Sequence, residues 1–576
     1  METIPTTKSH ETTRTSSPFR VTSWIRVSGI SRQYCLLALG LLVLCSQLAG
    51  AARRERLITN WKPVNYDVTL TFNQSLTEIT RARAEITVLL LEDKMSEIDF
   101  DFGELPIDSV TIAGRSAPYE RPAGKLHVKI PNSTPRGTRL VVVVSYHGKP
   151  RDGLILTNDK AGNPSAIGDN WPNRVHHWIP SFDHPSAKAT VNFTVTAPVG
   201  NIVVANGALN KVETLANSTR TWSYNEALPI PPYCMIVAVG NFAQLKPVQP
   251  SITSLTYYVP QSDKNVAVHG FASSDSSLKL FSATVAPYPY QKLAMIVGAT
   301  RFGGMENSSA IVFSSTLFDP KPATTPVSRT FNISRGTVGL VAHEIAHQWF
   351  GDSVTSATWS DLWLSEGFAT YFAGVFIQRE EGEQVFRDYM KAAAEKYFAY
   401  EKTTSTPLHD DETEDLMALL NPNNYEKGSW VLHMLRSELG DKNFFAGVRD
   451  YYQQHRNATA TSEDLRAAFE RSSGRDLREF FKVWVYGAGH PEYELKWKWI
   501  GKEKKARLAL TQTQGGAAFP NSLPVEIVTP MGRRRIVIPS KGKQTLQDVK
   551  LDGAPSSITL DPENTVLKKS RLMQSN

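Results

Sequence analysis

Two histidines and a glutamate stand at a spacing that suits a metal ion in the segment HEIAHQWFGD, residues 343–352. The apolar residues of this stretch recur with a helical period, so the segment predicts a largely buried helix. His343 and His347 then project from one face, one turn apart, and two imidazole nitrogens can bind one zinc ion at about 2.0 Å. Glu344 is displaced around the helix, so its position favours a general base acting on water over a third ligand.

Glu366 supplies the carboxylate that a catalytic zinc site needs. It stands nineteen residues after His347 in DLWLSEGFATYF, which predicts the next helix. The spacing of His343, Glu344 and His347 also arises by chance, so the prediction of a zinc site depends on Glu366. Three ligands with an open fourth position indicate catalytic zinc. We therefore expect one Zn²⁺ per chain, held by His343, His347 and Glu366, with Asp361 as a candidate to orient a ligand.

Two more segments carry a family resemblance. Upstream stands Gly303-Gly304-Met305-Glu306-Asn307, and downstream stands Tyr425-Glu426-Lys427-Gly428. Together with HExxH, eighteen residues and Glu, they resemble the gluzincin aminopeptidases, the family of membrane alanyl aminopeptidase and the leukotriene hydrolases. The similarity extends over nearly all of the chain beyond residue 51. It implies a zinc-dependent aminopeptidase that hydrolyses peptides with a free N-terminus.

The resemblance also implies roles for single residues. Glu306 would bind the terminal ammonium of the substrate, and Tyr425 would hydrogen-bond the tetrahedral oxyanion. Small residues at 303 and 304 allow an extended edge on which substrate backbone can pair as an added strand. The family usually presents Gln or Glu as a second amine contact, where this chain has Asp169-Asn170-Trp171. The expected substrate-binding residues are thus Gly303, Gly304, Met305, Glu306, Asn307 and Asp169.

Three other functions share parts of this pattern. A zinc endopeptidase of thermolysin type uses the same ligands, but it does not need an amine-binding glutamate. Epoxide hydrolysis occurs in one branch of the family, which carries a carboxylate eight residues before the catalytic tyrosine, whereas this chain has Met417. A catalytically inactive binding relative would have lost ligands or the base, and all of them are present here.

The composition indicates a folded, multidomain chain. It has 576 residues, 41% of them hydrophobic and 21% charged, and its net charge of +7 is too small and dispersed to indicate a nucleic-acid partner. Short runs of alternating apolar and polar residues come first, a region of helical periodicity follows, and alternating runs then return. This order predicts a multidomain α+β fold. We expect an N-terminal antiparallel β domain (52–250), a thermolysin-like, helix-rich zinc catalytic domain (251–490) and a small C-terminal β-sandwich (491–576).

Residues 1–51 are typical of a signal peptide. Arg26 and Arg32 precede an apolar run, YCLLALGLLVLC, and Ala49-Gly50-Ala51 forms a small-x-small cleavage site. The run is shorter than the roughly 18 to 20 residues that span a bilayer. We expect an exported protein, periplasmic or extracellular; the alternative is membrane anchoring by an uncleaved leader. Cleavage leaves Cys234 alone, which excludes an intramolecular disulfide.

Overall fold

The computed structural model describes residues 53–57, 59–322 and 324–574. The expected signal peptide, with Cys35 and Cys45, lies outside these ranges. Within them, no helix is both long enough and apolar enough to cross a bilayer.

The N-terminal domain is built from three β-sheets. Its strands alternate between buried and exposed residues, as in the first strand, where Tyr66, Val68 and Leu70 face the core. The strands are Trp61–Phe72 (β1), Ile79–Leu90 (β2), Glu97–Asp101 (β3), Ile107–Ile112 (β4), Arg115–Ser116 (β5), Tyr119–Glu120 (β6), Lys125–Lys129 (β7), Arg139–Gly148 (β8), Leu154–Asn158 (β9), Pro164–Gly168 (β10), Ala189–Pro198 (β11), Ile202–Ala205 (β12), Ala208–Thr214 (β13), Thr219–Ile230 (β14) and Val237–Gly240 (β15).

The large sheet of this domain has the order β13-β14-β11-β1-β2-β8-β4-β5, beside the smaller sheets β12-β15-β10-β9 and β3-β7-β6. The pairing is antiparallel, as predicted, except between β1 and β11, which run parallel with Asn65 opposite Thr190. The hairpin partner β2 occupies one edge of β1. The chain reaches the other edge only through a long crossover, and such a connection permits parallel pairing.

The catalytic domain joins a mixed sheet to a set of helices. The sheet order is β16-β17-β18-β20-β19, and β16 belongs to it although it lies before residue 250. The strands are Phe242–Leu245 (β16), Ser254–Pro260 (β17), Lys292–Gly298 (β18), Gly304–Met305 (β19), Ala310–Ser314 (β20), Val354–Ser356 (β21) and Ala458–Ala460 (β22), and the helices are Lys264–Gly270 (α1), Ser273–Thr284 (α2), Arg335–His347 (α3), Trp363–Glu381 (α4), Glu383–Glu401 (α5), Gly428–His455 (α6), Ser462–Ser473 (α7) and Arg478–Trp484 (α8).

The C-terminal domain has two packed sheets, in the orders β27-β24-β23-β29 and β26-β25-β28. This arrangement confirms the expected β-sandwich. Its buried side chains, such as Leu508 and Val525, form one continuous apolar cluster with the helices of the catalytic domain. The strands are Glu492–Ile500 (β23), Lys505–Gln512 (β24), Asn521–Thr529 (β25), Gly532–Ser540 (β26), Gln544–Lys550 (β27), Ser557–Leu560 (β28) and Lys569–Gln574 (β29).

A second apolar cluster joins the N-terminal domain to the sheet of the catalytic domain. Trp171 and Ala238 of the former pack in it with Ile296, Met305 and Trp359 of the latter. Residues of this cluster reach the segment that was predicted to bind substrate, so packing between the domains sets the shape of that region.

Helices α4 and α6 approach each other through two glycines. A Cβ atom added at Gly428 would lie 2.9 Å from the Cα of Gly367, closer than real Cβ atoms come to a neighbour. Gly367 follows Glu366 directly, and Gly428 lies three residues after Tyr425. The two glycines therefore set the separation of the helices beside both predicted site residues.

We predict that Gly428→Ala lowers the free energy of unfolding by about 1 to 3 kcal/mol, because an overpacked contact must push α4 and α6 apart. Denaturant unfolding followed by circular dichroism measures this. Gly339→Ala on α3 is the matched control. A Cβ there meets nothing within 4 Å, so the higher helix propensity of alanine should stabilise the protein by up to about 1 kcal/mol. Equal effects of the two substitutions would contradict the prediction.

Candidate active site

Helix α3 separates a core-facing side from a side that lines a cavity. Val338, Val341, Ala342 and Ile345 are buried in the apolar core, as the helical period predicts. The opposite side lines a cavity of about 660 Å³. The residues of α3 in this wall are Arg335, Gly336, Gly339, Leu340, His343, Glu344 and His347.

Three predicted ligands converge at this cavity. Nε2 of His343 lies 2.9 Å from Nε2 of His347, and each nitrogen lies 3.3 Å from Oε2 of Glu366. A tetrahedral zinc ion with bonds of about 2.0 to 2.1 Å separates its ligand atoms by roughly 3.3 Å. Oε2 of Glu366 is buried and has no hydrogen-bond partner among the described residues. The donor set and its spacing therefore fit zinc.

His347 is oriented by its other ring nitrogen. Nδ1 lies 3.0 Å from the carbonyl oxygen of Phe350 and 3.1 Å from Oγ of Ser365, so Nε2 faces the cavity. Ser365 could not be assigned from the sequence, because a serine beside a ligand carries no signal of its own.

Asp361, the candidate for orienting a ligand, is hydrogen-bonded to other residues. Its carboxylate accepts hydrogen bonds from Nδ1 of His409 at 2.8 Å and from Oγ of Ser462 at 2.6 Å.

Three buried glutamates cluster around the ligand atoms. Glu306, Glu344 and Glu366 are all at most 6% exposed. Burial raises the pKa of Glu344 well above its usual range, and it raises the pKa of Glu306 to about 7, in each case with a contribution from the neighbouring carboxylates. Burial alone would lower the pKa of His347, but Glu366 and Glu306 outweigh it and raise that pKa to about 10. The cluster thus stabilises positive charge at its centre, as a cation site must.

The substrate-binding candidates lie along α3. Strand β19 pairs with β20 on one side only, so its other edge is free within the described sheet. A Cβ at Gly304 would lie 2.3 Å from Oε1 of Glu344, whereas one at Gly303 would make an ordinary contact with Leu340 at 3.6 Å. Only glycine at 304 therefore leaves room for the carboxylate of Glu344.

The rest of this segment divides between cavity and core. Met305 and Glu306 line the cavity. Asn307 is fully buried, and its Nδ2 donates to the carbonyl oxygen of Met305 at 3.3 Å. It does not line the cavity, so the structure gives it a place in shaping the turn after β19.

Gln348 joins the ligand helix to the same segment. Its Nε2 donates to the carbonyl oxygen of Glu306 and to Oδ2 of Asp352, both at 2.8 Å. Its Oε1 accepts from the backbone N–H of Ser309 at 2.8 Å and from the hydroxyl of Tyr288 at 3.1 Å. A buried amide with four partners holds Glu306 at a set distance from the adjacent His347.

Tyr425 reaches the site from a π-helical turn, Asn423–Lys427, that leads directly into α6. Asn421 Oδ1 accepts the backbone N–H of Asn423 at 2.9 Å, which holds the start of the turn. The phenol ring stacks on His343 with ring centroids 5.9 Å apart. Burial and the carboxylate of Glu366 raise the pKa of Tyr425 well above its usual range, so the hydroxyl stays protonated and can donate.

Asp169 is close to the site but is not part of the cavity wall. It is fully buried. Its Oδ2 accepts from Nη2 of Arg174 at 3.0 Å, and its Oδ1 accepts from Oγ1 of Thr300 at 3.1 Å. The neighbouring Trp171 lines the cavity instead.

Comparison with known proteins gives two matches to parts of one family. Residues 62–234 match the peptidase M1 N-terminal domain, and residues 273–484 match the peptidase family M1 domain. Both ligand helices and the turn with Tyr425 lie in the second match. The two matches follow the order of the N-terminal and catalytic domains seen in the structure.

Individual relatives agree with these matches. Glutamyl aminopeptidase of Homo sapiens is 29% identical over 371 residues, which cover 59% of this chain and 38% of the relative. Probable aminopeptidase 2 of Sulfurisphaera tokodaii is 26% identical over 419 residues, covering 69% and 50%. Aminopeptidase M1-A of Oryza sativa subsp. japonica is 29% identical over 379 residues, covering 64% and 41%.

The chain spans half or less of the length of these three relatives. The matched domains nevertheless contain the whole constellation of His343, Glu344, His347, Glu366 and Tyr425, which confirms the resemblance seen in the sequence. By its two matched domains, this chain belongs to peptidase family M1.

Proposed function

We propose that the protein is a zinc-dependent aminopeptidase that removes N-terminal residues from peptides. The observation that carries the proposal is the position of Glu306. A buried carboxylate stands beside a ligand set with zinc spacing, in the same cavity. A substrate ammonium bound there brings the first peptide bond, and no later one, to the ligand set.

The metal would be held by Nε2 of His343, Nε2 of His347 and Oε2 of Glu366. When bound, zinc supplies a Lewis acid that polarises the scissile carbonyl and makes water more acidic. The chain's own contribution is to keep these three atoms in place, through the hydrogen bonds at Nδ1 of His347 and the close packing of α4 on α6.

Glu344 is proposed as the general base. Its carboxylate lies beside the ligand set, in space that Gly304 leaves open, where it can take a proton from the attacking water and return it to the leaving amine. Burial among other carboxylates raises the pKa of Glu344, and a raised pKa makes the carboxylate a stronger base. Tyr425, whose ring stacks on His343, is proposed to donate its hydroxyl to the oxyanion that develops on the scissile carbonyl.

The wall next to Glu306 supports a preference for large apolar first residues. Met305 packs in the cluster that contains Trp171, and Phe302 and Leu420 pack against it. The rings of Trp171 and Phe302 meet edge to face at 6.0 Å. All four side chains line the cavity, so a hydrophobic side chain would be buried there at a gain of about 25 cal/mol per Å².

The two alternative enzymes receive less support. An endopeptidase binds a peptide that extends on both sides of the cleaved bond. Glu306 places a buried carboxylate at one end of this site, where such a peptide would have to continue. Met417, at the position where the epoxide-hydrolase branch carries a carboxylate, is 41% exposed and does not line the cavity.

We also propose export, which is supported by the leader pattern of residues 26–51. Expression of the full chain in a secreting host should release a protein whose first residue is near Ala52, as read by N-terminal sequencing. Retention of the leader in the membrane fraction would show the anchored alternative.

We predict that Glu344→Gln retains one zinc per chain but lowers kcat at least about a hundredfold, the usual scale for a positioned general base. Metal analysis and hydrolysis of aminoacyl anilides measure the two quantities. His347→Ala is the contrast, because removal of a ligand should abolish zinc binding. His433→Ala is the control, since His433 contacts Tyr371 and Asn564 away from the site. Near-normal turnover in Glu344→Gln would refute the role of the base.

We predict that Glu306→Gln collapses the preference for free N-termini. Loss of about 2 kcal/mol of charge pairing should lower kcat/KM on free-amine substrates about thirtyfold. The slow hydrolysis of N-acetylated analogues should change little. Asp169→Asn should show a weaker version of the same effect, because its carboxylate does not line the cavity and acts on the amine only through its charge. A wild-type enzyme that cleaves acetylated and free peptides equally fast would instead support the endopeptidase.

A further inference from the structure

The cavity continues beyond the ligand set, along α3 toward Arg335. On the basis of the proposed aminopeptidase function, we infer that Arg335 binds the C-terminal carboxylate of short peptide substrates. Four features of the structure support this site, which lies at the opposite end of the cavity from Glu306.

The first feature is the direction in which a substrate must run. Gly303 lies against Leu340, Gly304 lies against Glu344, and the carbonyl oxygen of Glu306 is bound by Gln348. Strand β19 and helix α3 therefore advance side by side in the same direction. A peptide whose ammonium is at Glu306, paired antiparallel with the free edge of β19, runs back toward the start of α3.

The second feature is distance. Arg335 precedes His343 by eight residues, which is about 12 Å along a helix that rises 1.5 Å per residue. An extended peptide advances about 3.3 Å per residue. Roughly four residues beyond the cleaved bond therefore bring a terminal carboxylate to Arg335, which corresponds to a substrate of about five residues.

The third feature is the open wall between the two ends. At Gly339 an added Cβ would meet nothing within 4 Å, and at Gly336 it would meet only Oγ of Ser334 at 3.4 Å. Both glycines line the cavity. The path of the peptide along α3 is thus free of side chains at these two positions.

The fourth feature is the state of the guanidinium. Nε of Arg335 donates to Oε2 of Glu381 at 3.0 Å. The side chain of Glu381 is 2% exposed, whereas that of Arg335 is 31% exposed. Among the described residues, neither Nη atom of Arg335 donates a hydrogen bond, and the bond from Nε is the one its side chain makes. The pair anchors the guanidinium through Nε, and the two remaining nitrogens, Nη1 and Nη2, match the two oxygens of a carboxylate.

The other charged side chains in this part of the cavity are already partnered or open to solvent. Nζ of Lys396 donates to Oε1 of Glu426 at 3.1 Å. Asp388 is exposed and accepts from Nε2 of Gln384 at 3.1 Å. Lys396 is also a cation with unused donors, but its ammonium is 70% exposed and offers no planar fork. Arg335 is therefore the cation in this region whose geometry matches a carboxylate.

The test compares free-acid peptides with their C-terminal amides over a series of two to eight residues, all with the same first residue, using the zinc-loaded full chain. For the wild type, the ratio of kcat/KM between acid and amide should be near one for dipeptides. It should reach about tenfold near five residues, the scale of one partly exposed bidentate ion pair. Arg335→Gln should return the five-residue ratio to about one.

Three further variants control this experiment. Loss of Arg335 leaves the buried Glu381 unpaired and can impair folding, so the Arg335→Gln/Glu381→Gln double variant repeats the test in a neutral background. Glu381→Gln alone retains the guanidinium and should keep or increase the acid preference. Arg387→Gln, which breaks a similar pair with Glu383 on α5 away from the cavity wall, should leave the ratio unchanged.

A wild-type ratio near one at every length, or a tenfold ratio that persists in Arg335→Gln, would overturn the carboxylate site. Hydrolysis of the peptide amides by the wild type shows in the same experiment that the aminopeptidase function holds in that case. If neither acids nor amides are hydrolysed, the proposed function fails and this inference fails with it.

Discussion

The contact between β19 and α3 sets the distances on which the whole site depends. The side-chain amide of Gln348 binds the backbone of the segment that carries Glu306, and Gly304 leaves open the space that a Cβ would take from the carboxylate of Glu344. Because Gln348 follows His347 directly, movement of the strand relative to the helix would alter the separation of the proposed ammonium site at Glu306 and the proposed metal site. An exopeptidase needs that separation to be constant, since it corresponds to one residue of substrate.

This arrangement places several acids in the interior, and the surrounding structure offsets their cost. Asp352 is fully buried and accepts hydrogen bonds from Gln348 and from the thiol of Cys234 at 3.2 Å. Burial lowers the pKa of Lys188 to about 7, with Asp352 acting in the opposite sense. Its ammonium donates to the carbonyl oxygens of Asp352 and Ser353 at 2.7 and 2.8 Å. The loop after the ligand helix is thereby tied to the N-terminal domain, in which Lys188 lies.

The apolar packing has two separate roles at the site. The α4 and α6 contact at Gly367 and Gly428 holds Glu366 near the turn of Tyr425, and both side chains line one cavity. The cluster around Trp171 and Met305 closes the cavity next to Glu306. Residues from both domains are therefore needed to complete the wall, and the N-terminal sheet domain acts as part of the site.

The sequence by itself determined the chemistry and the order of the domains. Ligand spacing within one helix is a local property, so His343, His347 and Glu344 could be assigned from the helical period, and strand alternation gave the β domains on either side of the helices. Tertiary structure alone decided which polar groups meet across long separations. It turned Asp361 toward His409 and Ser462, bound Asp169 to Arg174, and placed Cys234 in a short helical turn, Pro232–Cys234. It also placed Arg335 in the same cavity as Glu306, because the path of β19 along α3 arises from packing between distant segments and leaves no periodic signal in either one.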